Sequence, residues 1–465
     1  MDILNSINDW LWTYLLIAVL LGGGVWFTVR SRGVQFTMVA EMCRLLLRSG
    51  KKHDVGGSPH HRVSSFQAFA ISLASRVGTG NIAGVAIAIT LGGPGAVFWM
   101  WIVALVGSAN AFVESTLAQL FKVKGQKSFR GGPAYYIWHG IGQRAWAVTF
   151  AVLITVTFAL AFNSVQANTI ALALHNSFGV SPWVTGAVCT AATLAVILGG
   201  VRRIARINEL LVPVMALFYI GLALYVVITR ITLFPHVMGL IVDNAFGLDQ
   251  AIGGGMGMAV IMGVKRGLFS NEAGEGSTPN AAATAAVSHP VKQGLIQTMG
   301  VYVDTLLVCT ATAFIILCSG VFDSGLTGIE LTQLALATEV GDAAAVFVAV
   351  AVLLFAFTSI IANYYYGETN TAFIRNDRRI ITALRLFTGA AVMTGSVAAL
   401  ETVWVLADIT MALMTLCNMA AILVLGRYAM LCLADYRSQR SRGLDPHYHR
   451  STIPEIAPRT PSWPE

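Results

Sequence analysis

The chain has 465 residues, of which 56% are hydrophobic and only 11% are charged, and its formal net charge is +7. Since a soluble globular protein carries about 25% charged residues, this composition argues against a soluble protein and is typical of a polytopic membrane protein. The six cysteines show no C-x-x-C or Cys/His spacing, so we expect buried apolar cysteines and not a metal or redox site.

Apolar segments of membrane-spanning length occur about eleven times, and together they predict an all-α integral membrane protein. The first segment follows an acidic stretch and precedes a basic one. That order is the reverse of a cleavable signal peptide, so we expect a retained helix. The predicted spans are 12–30, 64–92, 95–121, 145–175, 182–200, 208–230, 250–288, 292–319, 342–366, 383–401 and 404–426.

The basic residues orient these spans. If the N-terminus lies outside, 26 of the 30 Lys and Arg residues fall in cytoplasmic loops or the C-terminal tail, and only Arg230 falls in an external loop. The other three, Arg76, Lys265 and Arg266, lie inside spans. The positive-inside rule therefore predicts a cytoplasmic C-terminus, and it explains the net positive charge without a nucleic-acid partner.

Three segments outside the spans have distinct compositions. The external loop 320–342 is acidic and has no basic residue, and residues 131–142 are too short to span, so we expect an amphipathic helix at the membrane interface. The tail 434–465 contains five prolines, which predicts a disordered cytoplasmic segment.

Two spans carry glycine pairs and polar residues in their middle. Span 64–92 would be about 44 Å long as one helix, whereas the hydrocarbon core is roughly 30 Å thick. Span 250–288 is longer still and contains KRGLFSNEAGEGSTP. We interpret both as helices with an unwound segment, because paired interrupted helices are typical of transporters built from inverted repeats.

The spacing of these features is consistent with two five-helix repeats. Thr79 and Asn271 lie 192 residues apart, and so do Gln166 and Thr358 in the third helix of each repeat. We therefore divide the chain into an extra N-terminal helix with a basic cytoplasmic loop, two repeats and the tail. The boundaries are 1–63, 64–230, 231–433 and 434–465.

The first interruption reads VGTGN, from Val77 to Asn81. Glycine frees the backbone there, and a half-helix that begins near Gly80 would present free amides and a positive dipole end, which suit a carboxylate. Two alternatives are a dinucleotide-binding loop, which lacks its spacing and its βαβ unit, and close helix packing through Gly80 and Gly84. The packing alternative stays open.

The second interruption lies within RGLFSNEAGEGSTPNAAATAA, from Arg266 to Ala286. A half-helix that ends near Phe269 would leave free carbonyls that suit an ammonium group. Ser270 and Asn271 offer neutral polar contacts, and Phe269 can enclose a substrate side chain. The alternative is a cytoplasmic loop, which the apolar alanine-rich continuation disfavours.

Two further helices carry polar groups at membrane depth. Gln166 is a candidate substrate ligand, whereas Asn168 is as well explained by interhelical hydrogen bonding. The adjacent hydroxyls of Thr358 and Ser359, together with carbonyls from an unwound segment, would form a sodium site without a carboxylate. Alone, such hydroxyls commonly bond back to their own helix.

The charges inside the spans need partners. Arg76, Lys265, Arg266, Glu272 and Glu275 cluster around the two interruptions, so we expect mutual pairing, with Arg76 and Glu272 or Glu275 as a gate pair. Glu114 and Asp304 are candidate proton carriers, although both could be structural partners.

Several of these stretches resemble one family. GTGNIAGVAIAITLGGPGAVFWMW, FRGGPAYY, VQAN, GLFSNEAGEGSTPNAAA and FAFTSIIANYYYGE are similar to the alanine or glycine:cation symporters, also called sodium:alanine symporters, over about residues 12–430. The resemblance implies the leucine-transporter-like fold of the amino acid–polyamine–cation superfamily. That fold has five plus five inverted repeats and two discontinuous helices, here preceded by one extra helix.

The resemblance also implies the site residues. The substrate would contact Gly78, Thr79, Gly80, Asn81, Gln166, Phe269, Ser270, Asn271, Gly274 and Thr358. Sodium would be bound by the carbonyls of Ala74 and Val77 and the hydroxyls of Thr358 and Ser359.

We therefore expect a sodium-coupled importer of alanine or glycine that works by alternating access in a bacterial or archaeal cytoplasmic membrane. We expect a monomer in the bilayer that needs no organic cofactor and has no enzymatic activity, because no catalytic motif occurs. The alternatives are a proton-coupled amino acid symporter using Glu114 or Asp304, a channel and a membrane scaffold.

Overall fold

A computed structural model of the chain describes residues 2–49, 63–125, 128–247, 255–341 and 343–465. The fold is almost entirely helical, with one two-stranded hairpin, β1 (Val123–Lys124) and β2 (Phe129–Arg130). The helices of the first half are α1 (Asp2–Trp10), α2 (Ile17–Arg30), α3 (Val34–Thr37), α4 (Val39–Arg48), α5 (Ser65–Arg76), α6 (Val85–Gly92), α7 (Gly95–Leu120), α8 (Pro133–Tyr136), α9 (Arg144–Val156), α10 (Asn163–Phe178), α11 (Pro182–Ile197) and α12 (Val201–Thr229).

The second half continues with α13 (Phe234–Ala245), α14 (Gly255–Asn271), α15 (Pro279–Ala282), α16 (Pro290–Val301), α17 (Thr310–Ser319), α18 (Gly328–Val340), α19 (Ala343–Ile374), α20 (Arg378–Val397) and α21 (Leu400–Ser441). Wider π-helical turns run through Leu11–Leu16, Gly80–Gly84, Ile137–Ile141, Thr157–Phe162 and Tyr302–Cys309, and short 3-10 turns through Ile231–Leu233, Arg450–Thr452 and Pro454–Arg459.

Eight helices of the described part of the chain are long and apolar enough to cross a membrane. Three shorter apolar helices, Gly80–Gly92, Pro182–Ile197 and Ile231–Ala245, add to them. The predicted all-helical membrane architecture is therefore confirmed, whereas the number of eleven spans stays a prediction.

In both halves a helix begins near the start of each span that we predicted for the two repeats. In the first half these units begin at residues 65, 95, 144, 182 and 201. In the second half they begin at 255, where the described residues resume, and then at 290, 343, 378 and 400. Inside the molecule, α14 and α16 pack against α7, and α10 packs against α19 and α20. The repeat boundaries themselves remain a prediction.

Three regions outside the predicted spans contain helices. The acidic loop 320–342 includes α18, which packs on α19 and on the turn Gly80–Gly84, and Asp342 lies outside the described residues. Residues 133–141 are helical, but most of them are buried against protein. The basic loop after α2 forms α3 and α4, and its part from 50 to 62 lies outside the described residues.

The prediction of a disordered tail from residue 434 is wrong. Helix α21 continues to Ser441, and the following C-terminal tail (residues 445–465) folds back onto the helices. Its apolar side chains lie between the prolines and supply the burial that a disordered segment lacks: Tyr448, Ile453, Ile456 and Trp463 are all buried. The cysteine prediction holds except at Cys43, which is exposed, and Cys417, which is half-buried.

Candidate functional site

The first interruption is a short non-helical step. Helix α5 ends at Arg76, Val77 leaves helical geometry with φ −80° and ψ 86°, and helical turns resume at Gly80. The amides at this step face side-chain oxygens, since Gly78 N donates to Asn81 Oδ1 at 3.0 Å and Thr79 N donates to Gln166 Oε1 at 3.1 Å. The backbone there can therefore bind an oxygen acceptor.

The second interruption is longer and is held by a buried carboxylate. Helix α14 ends at Asn271, half a turn beyond the predicted Phe269, and Glu272 adopts φ 56°, which is unusual for a residue other than glycine. Glu114 accepts hydrogen bonds from Gly274 N at 3.2 Å and Gly276 N at 3.1 Å. Protein groups thus satisfy the unwound backbone, as the membrane interior requires.

Phe269 brings the two interruptions together. A Cβ atom placed on Gly80 would lie 2.9 Å from Phe269 Cδ1, so only glycine fits under this ring. The ring also packs on Phe162 and Trp404, with centroid distances of 4.5 Å and 4.7 Å. Phe269 therefore covers the half-helix that begins at Gly80.

The hydroxyls of α19 meet the first interruption. Ser359 Oγ lies 2.7 Å from Ala74 O and 2.9 Å from Phe355 O. Thr358 Oγ1 donates to Phe355 O at 2.8 Å, so its hydroxyl bonds back to its own helix. Of the four predicted sodium ligands, Ser359 and Ala74 are in direct contact.

The other predicted residues divide into two groups. Gln166 reaches the first interruption, whereas Asn168 donates to Gly395 O at 3.0 Å and Ala398 O at 2.8 Å, which is the interhelical alternative. Gly274 is held by hydrogen bonds to Glu114 and from Asn418. All predicted site residues are buried, namely Ala74, Val77, Gly78, Thr79, Gly80, Asn81, Gln166, Phe269, Ser270, Asn271, Gly274, Thr358 and Ser359.

The predicted pairing among the intramembrane charges is wrong for the cations. Lys265 Nζ lies 2.8 Å and Arg266 Nη2 lies 2.5 Å from Asp408 Oδ2 on α21. Because α14 stays helical to Asn271, these two residues face α21 instead of the carboxylates at 272 and 275. Sequence reasoning missed Asp408, whose signal was a lone acidic residue in the last span.

Arg76 also has other partners than those we expected. Its guanidinium donates to Gln297 O and to Thr278 Oγ1, each at 3.0 Å, and it makes no ion pair within the described parts of the chain. Glu272 instead accepts from Ser75 Oγ and Ser277 Oγ, both at 2.5 Å. Glu272 thereby ties the second interruption to the end of α5 through hydroxyls.

The carboxylate of Asp304 also links the two interruptions. Its carboxylate accepts from Asn81 Nδ2 at 2.6 Å, Ser270 Oγ at 2.8 Å and Thr305 Oγ1 at 2.9 Å. Asn81 and Ser270 are both predicted substrate residues, so Asp304 positions a side chain from each interruption. Both Asp304 and Glu114 therefore have structural partners in the site.

Comparison with known proteins places the site in context. The chain matches the sodium:alanine symporter family over residues 1–450. It is 51% identical to the amino-acid carrier protein AlsT of Bacillus subtilis (strain 168), over 98% of this chain and 96% of AlsT. It is 50% identical to the probable sodium/glutamine symporter GlnT of the same organism, over 97% of this chain and 94% of GlnT.

A third relative and one solved structure complete the comparison. The sodium/proton-dependent alanine carrier protein of Bacillus sp. (strain PS3) is 40% identical over 87% of this chain and 94% of its own length. The crystal structure of MhsT in complex with L-phenylalanine superposes with a TM-score of 0.59 at 14% identity and covers 81% of this chain and 96% of MhsT. This likeness confirms the leucine-transporter-like fold.

Proposed function

The chain belongs to the sodium:alanine symporter family, and we propose that it uses sodium entry to import alanine or glycine across the cytoplasmic membrane. Family membership already makes it a cation-coupled amino acid symporter with several membrane spans, and a transporter, not an enzyme. The proposal adds the ion, the substrate, the direction and the orientation, with the N-terminus outside and the C-terminus in the cytoplasm.

The contact between Ser359 and Ala74 carries the proposal for sodium. Sodium prefers hard oxygen ligands, and a hydroxyl and a backbone carbonyl meet here where α5 ends, with Thr358 beside them. Ser359 has a second acceptor, Phe355 O, in its own helix at 2.9 Å. Its proton can therefore turn away, which leaves lone pairs on Ser359 Oγ and Ala74 O free to contact an ion beside them.

The substrate would lie between the two interruptions. Its carboxylate suits the amides of Gly78 and Thr79, which already face oxygen acceptors at 3.0 Å and 3.1 Å. Its ammonium group suits the carbonyls at the end of α14, and its side chain would meet Phe269. The tight packing of Phe269 on Phe162 and Trp404 favours a small side chain such as a methyl group or hydrogen.

There is one alternative for the coupling ion and one for the substrate. Proton coupling through Glu114 or Asp304 is favoured by the sodium/proton-dependent alanine carrier among the relatives. Against it, each carboxylate accepts hydrogen bonds from at least three protein donors. Glutamine is an alternative substrate because of the 50% identity to the probable sodium/glutamine symporter. Competition by unlabelled glutamine would separate it from alanine.

The test is uptake of labelled alanine into proteoliposomes with an inward sodium gradient, compared with choline at a fixed pH gradient. We expect uptake with sodium alone. Uptake that persists in choline would establish proton coupling, and absence of uptake by a demonstrably folded protein would overturn the proposal. The same uptake assay is applied to Ser359→Ala and Thr358→Ala. Thr371→Ala, at the far end of the same helix, is their matched control.

A further inference from the structure

The C-terminal tail is attached to the end of α7 by its last aromatic residue. Trp463 is buried, and its indole Nε1 donates to Gln119 O and Leu120 O, each at 3.1 Å. These carbonyls belong to the last turn of α7, whose carbonyls lack the usual donor four residues on; Gln119 O also accepts from Lys122 N, at a long 3.5 Å. Trp463 therefore caps α7, and it does so from outside the family match, which ends at residue 450.

The tail is also hydrogen-bonded to the segment of residues 283–289, here called the connector, which follows the second interruption and α15. Tyr448 N donates to Ser288 O at 2.8 Å, and Ser288 Oγ donates to Pro446 O at 2.9 Å. Lys292 Nζ, just beyond the connector, lies 2.8 Å from Asp445 Oδ1. The tail is thus joined to the connector by two hydrogen bonds and to the start of α16 by an ion pair.

Lys122 joins the tail, the connector and α7 at one point. Its Nζ atom lies 4.4 Å from the Trp463 ring centroid and 4.3 Å from that of Phe129. It also donates to Ala285 O at 3.1 Å and Gln119 Oε1 at 2.7 Å. Buried in this way, Lys122 resists separation of the three elements, because separation would break its packing on both rings and these hydrogen bonds.

The connector in turn is bonded to the start of α5. Val63 and Ala285 form a parallel bridge, and Ala286 N donates to Val63 O at 3.3 Å. Two residues later α5 begins, and it ends at the carbonyls proposed for sodium. A continuous chain of contacts therefore runs from Trp463 through the connector to the half-helix that precedes the first interruption.

We propose that the C-terminal tail is a latch that holds the cytoplasmic ends of α5, α7 and the connector together, so that it must loosen for the carrier to open inward. Alternating access requires the elements around the site to separate on one side at a time, and the tail bridges these elements on the side that the topology assigns to the cytoplasm. The inference rests on the proposed topology and extends the proposed function by a regulatory element.

The test compares deletion of residues 445–465, Trp463→Ala and Trp463→Phe with the wild type. Glu455→Ala is the control, because it breaks only the exposed pair with Arg427 in the same tail. One readout needs no substrate: the rate at which an impermeant maleimide labels Ser65→Cys, at the start of α5, from the cytoplasmic side, in a background without the six native cysteines.

We expect labelling to rise about fivefold or more in the deletion and in Trp463→Ala, the lower end of the range for coupled conformational equilibria. Trp463→Phe keeps a ring over Lys122 but loses the indole donor, so its labelling rate should lie between those of these variants and that of the wild type. The external KM for alanine should rise in parallel, because fewer carriers face outward. Unchanged labelling after the deletion would overturn the latch, whatever the outcome for alanine uptake. Absence of sodium-driven alanine uptake would overturn only the proposed function.

Discussion

Ser359 Oγ on α19 lies 2.7 Å from the carbonyl oxygen of Ala74 in the last turn of α5. This contact joins the third helix of the second half to the first interruption of the first half, across 285 residues of sequence. The proposed ion would bind at this contact. The contact also distinguishes Ser359, which makes it, from the neighbouring Thr358, which does not.

Ser359→Ala should affect sodium binding more than Thr358→Ala. Ser359 contacts the opposing carbonyl, whereas Thr358 bonds only to Phe355 O in its own helix. We expect the sodium concentration for half-maximal alanine uptake to rise about tenfold in Ser359→Ala, since a contact to a charged partner contributes about 1.5–3 kcal/mol. Equal shifts in the two variants would contradict this assignment of roles.

Gly80→Ala should block transport, because the new Cβ atom would lie 2.9 Å from the Phe269 ring. Gly84→Ala is the matched control, since its Cβ would meet its nearest neighbour, Trp404, at an ordinary 3.7 Å. Adding Phe269→Leu to Gly80→Ala should restore part of the alanine uptake in proteoliposomes. If the double variant is no better than Gly80→Ala, close packing under Phe269 is not the reason for the glycine.

Glu114→Gln should destabilise the fold without changing the coupling ion. The amide NH2 group would oppose one of the donors Gly274 N, Gly276 N or Asn418 Nδ2, at a cost of about 2 kcal/mol. We expect a lower thermal midpoint in detergent, with sodium dependence retained. Glu401→Gln, at an exposed position in the first turn of α21, is the control. Loss of coupling at unchanged stability would instead favour a proton-carrier role for Glu114.

Asp408→Asn should be among the most damaging single changes. It removes the buried carboxylate that two cations share at 2.5 Å and 2.8 Å. Breaking a buried ion pair on one side costs about 3–5 kcal/mol, and the thermal midpoint should fall accordingly. Lys265→Met should cost much less, because Arg266 keeps its partner. A wild-type midpoint for Asp408→Asn would contradict the ion-pair cluster.

Docking of the tail should weaken in acid. Burial lowers the pKa of Lys122 to about 7 from its ordinary value of 10.5, and burial also lowers the pKa of His289, which packs on Tyr448. A detached tail would expose both bases and let them bind protons more readily. Stability of the docked tail is therefore present in full above about pH 10.5, and it falls as the pH decreases towards 7. Protonation of His289 weakens it further below pH 6.5.

Limited proteolysis at Arg450 measures this docking. We expect the ratio of the cleavage rate at pH 6 to the rate at pH 9 to be higher in the wild type than in Lys122→Met. Lys122→Met lacks the ionisable group, so its ratio reports the pH dependence of the protease itself. An identical pH dependence in Lys122→Met and the wild type would show that Lys122 does not control the docking.

The positions of the two interruptions were predictable because their signals are local. Glycines and small polar residues within apolar segments identified both interruptions, and the hydroxyl pair in FAFTSIIANYYYGE identified the helix that faces the first one. The partners of the charges were not predictable in this way. Asp408 lies 142 residues from Arg266, and pattern alone does not tell which buried carboxylate a cation will reach.

The sequence by itself determined the membrane class, the approximate helices and the two interruptions, since hydropathy and glycine placement act within a few residues of each other. Only the tertiary structure decided which groups satisfy the unwound backbone, which hydroxyl reaches Ala74 and where the tail folds. Those outcomes depend on contacts between segments far apart in the chain. Composition predicted disorder for the tail because the proline content of a segment does not tell which distant part of the protein will bury Trp463.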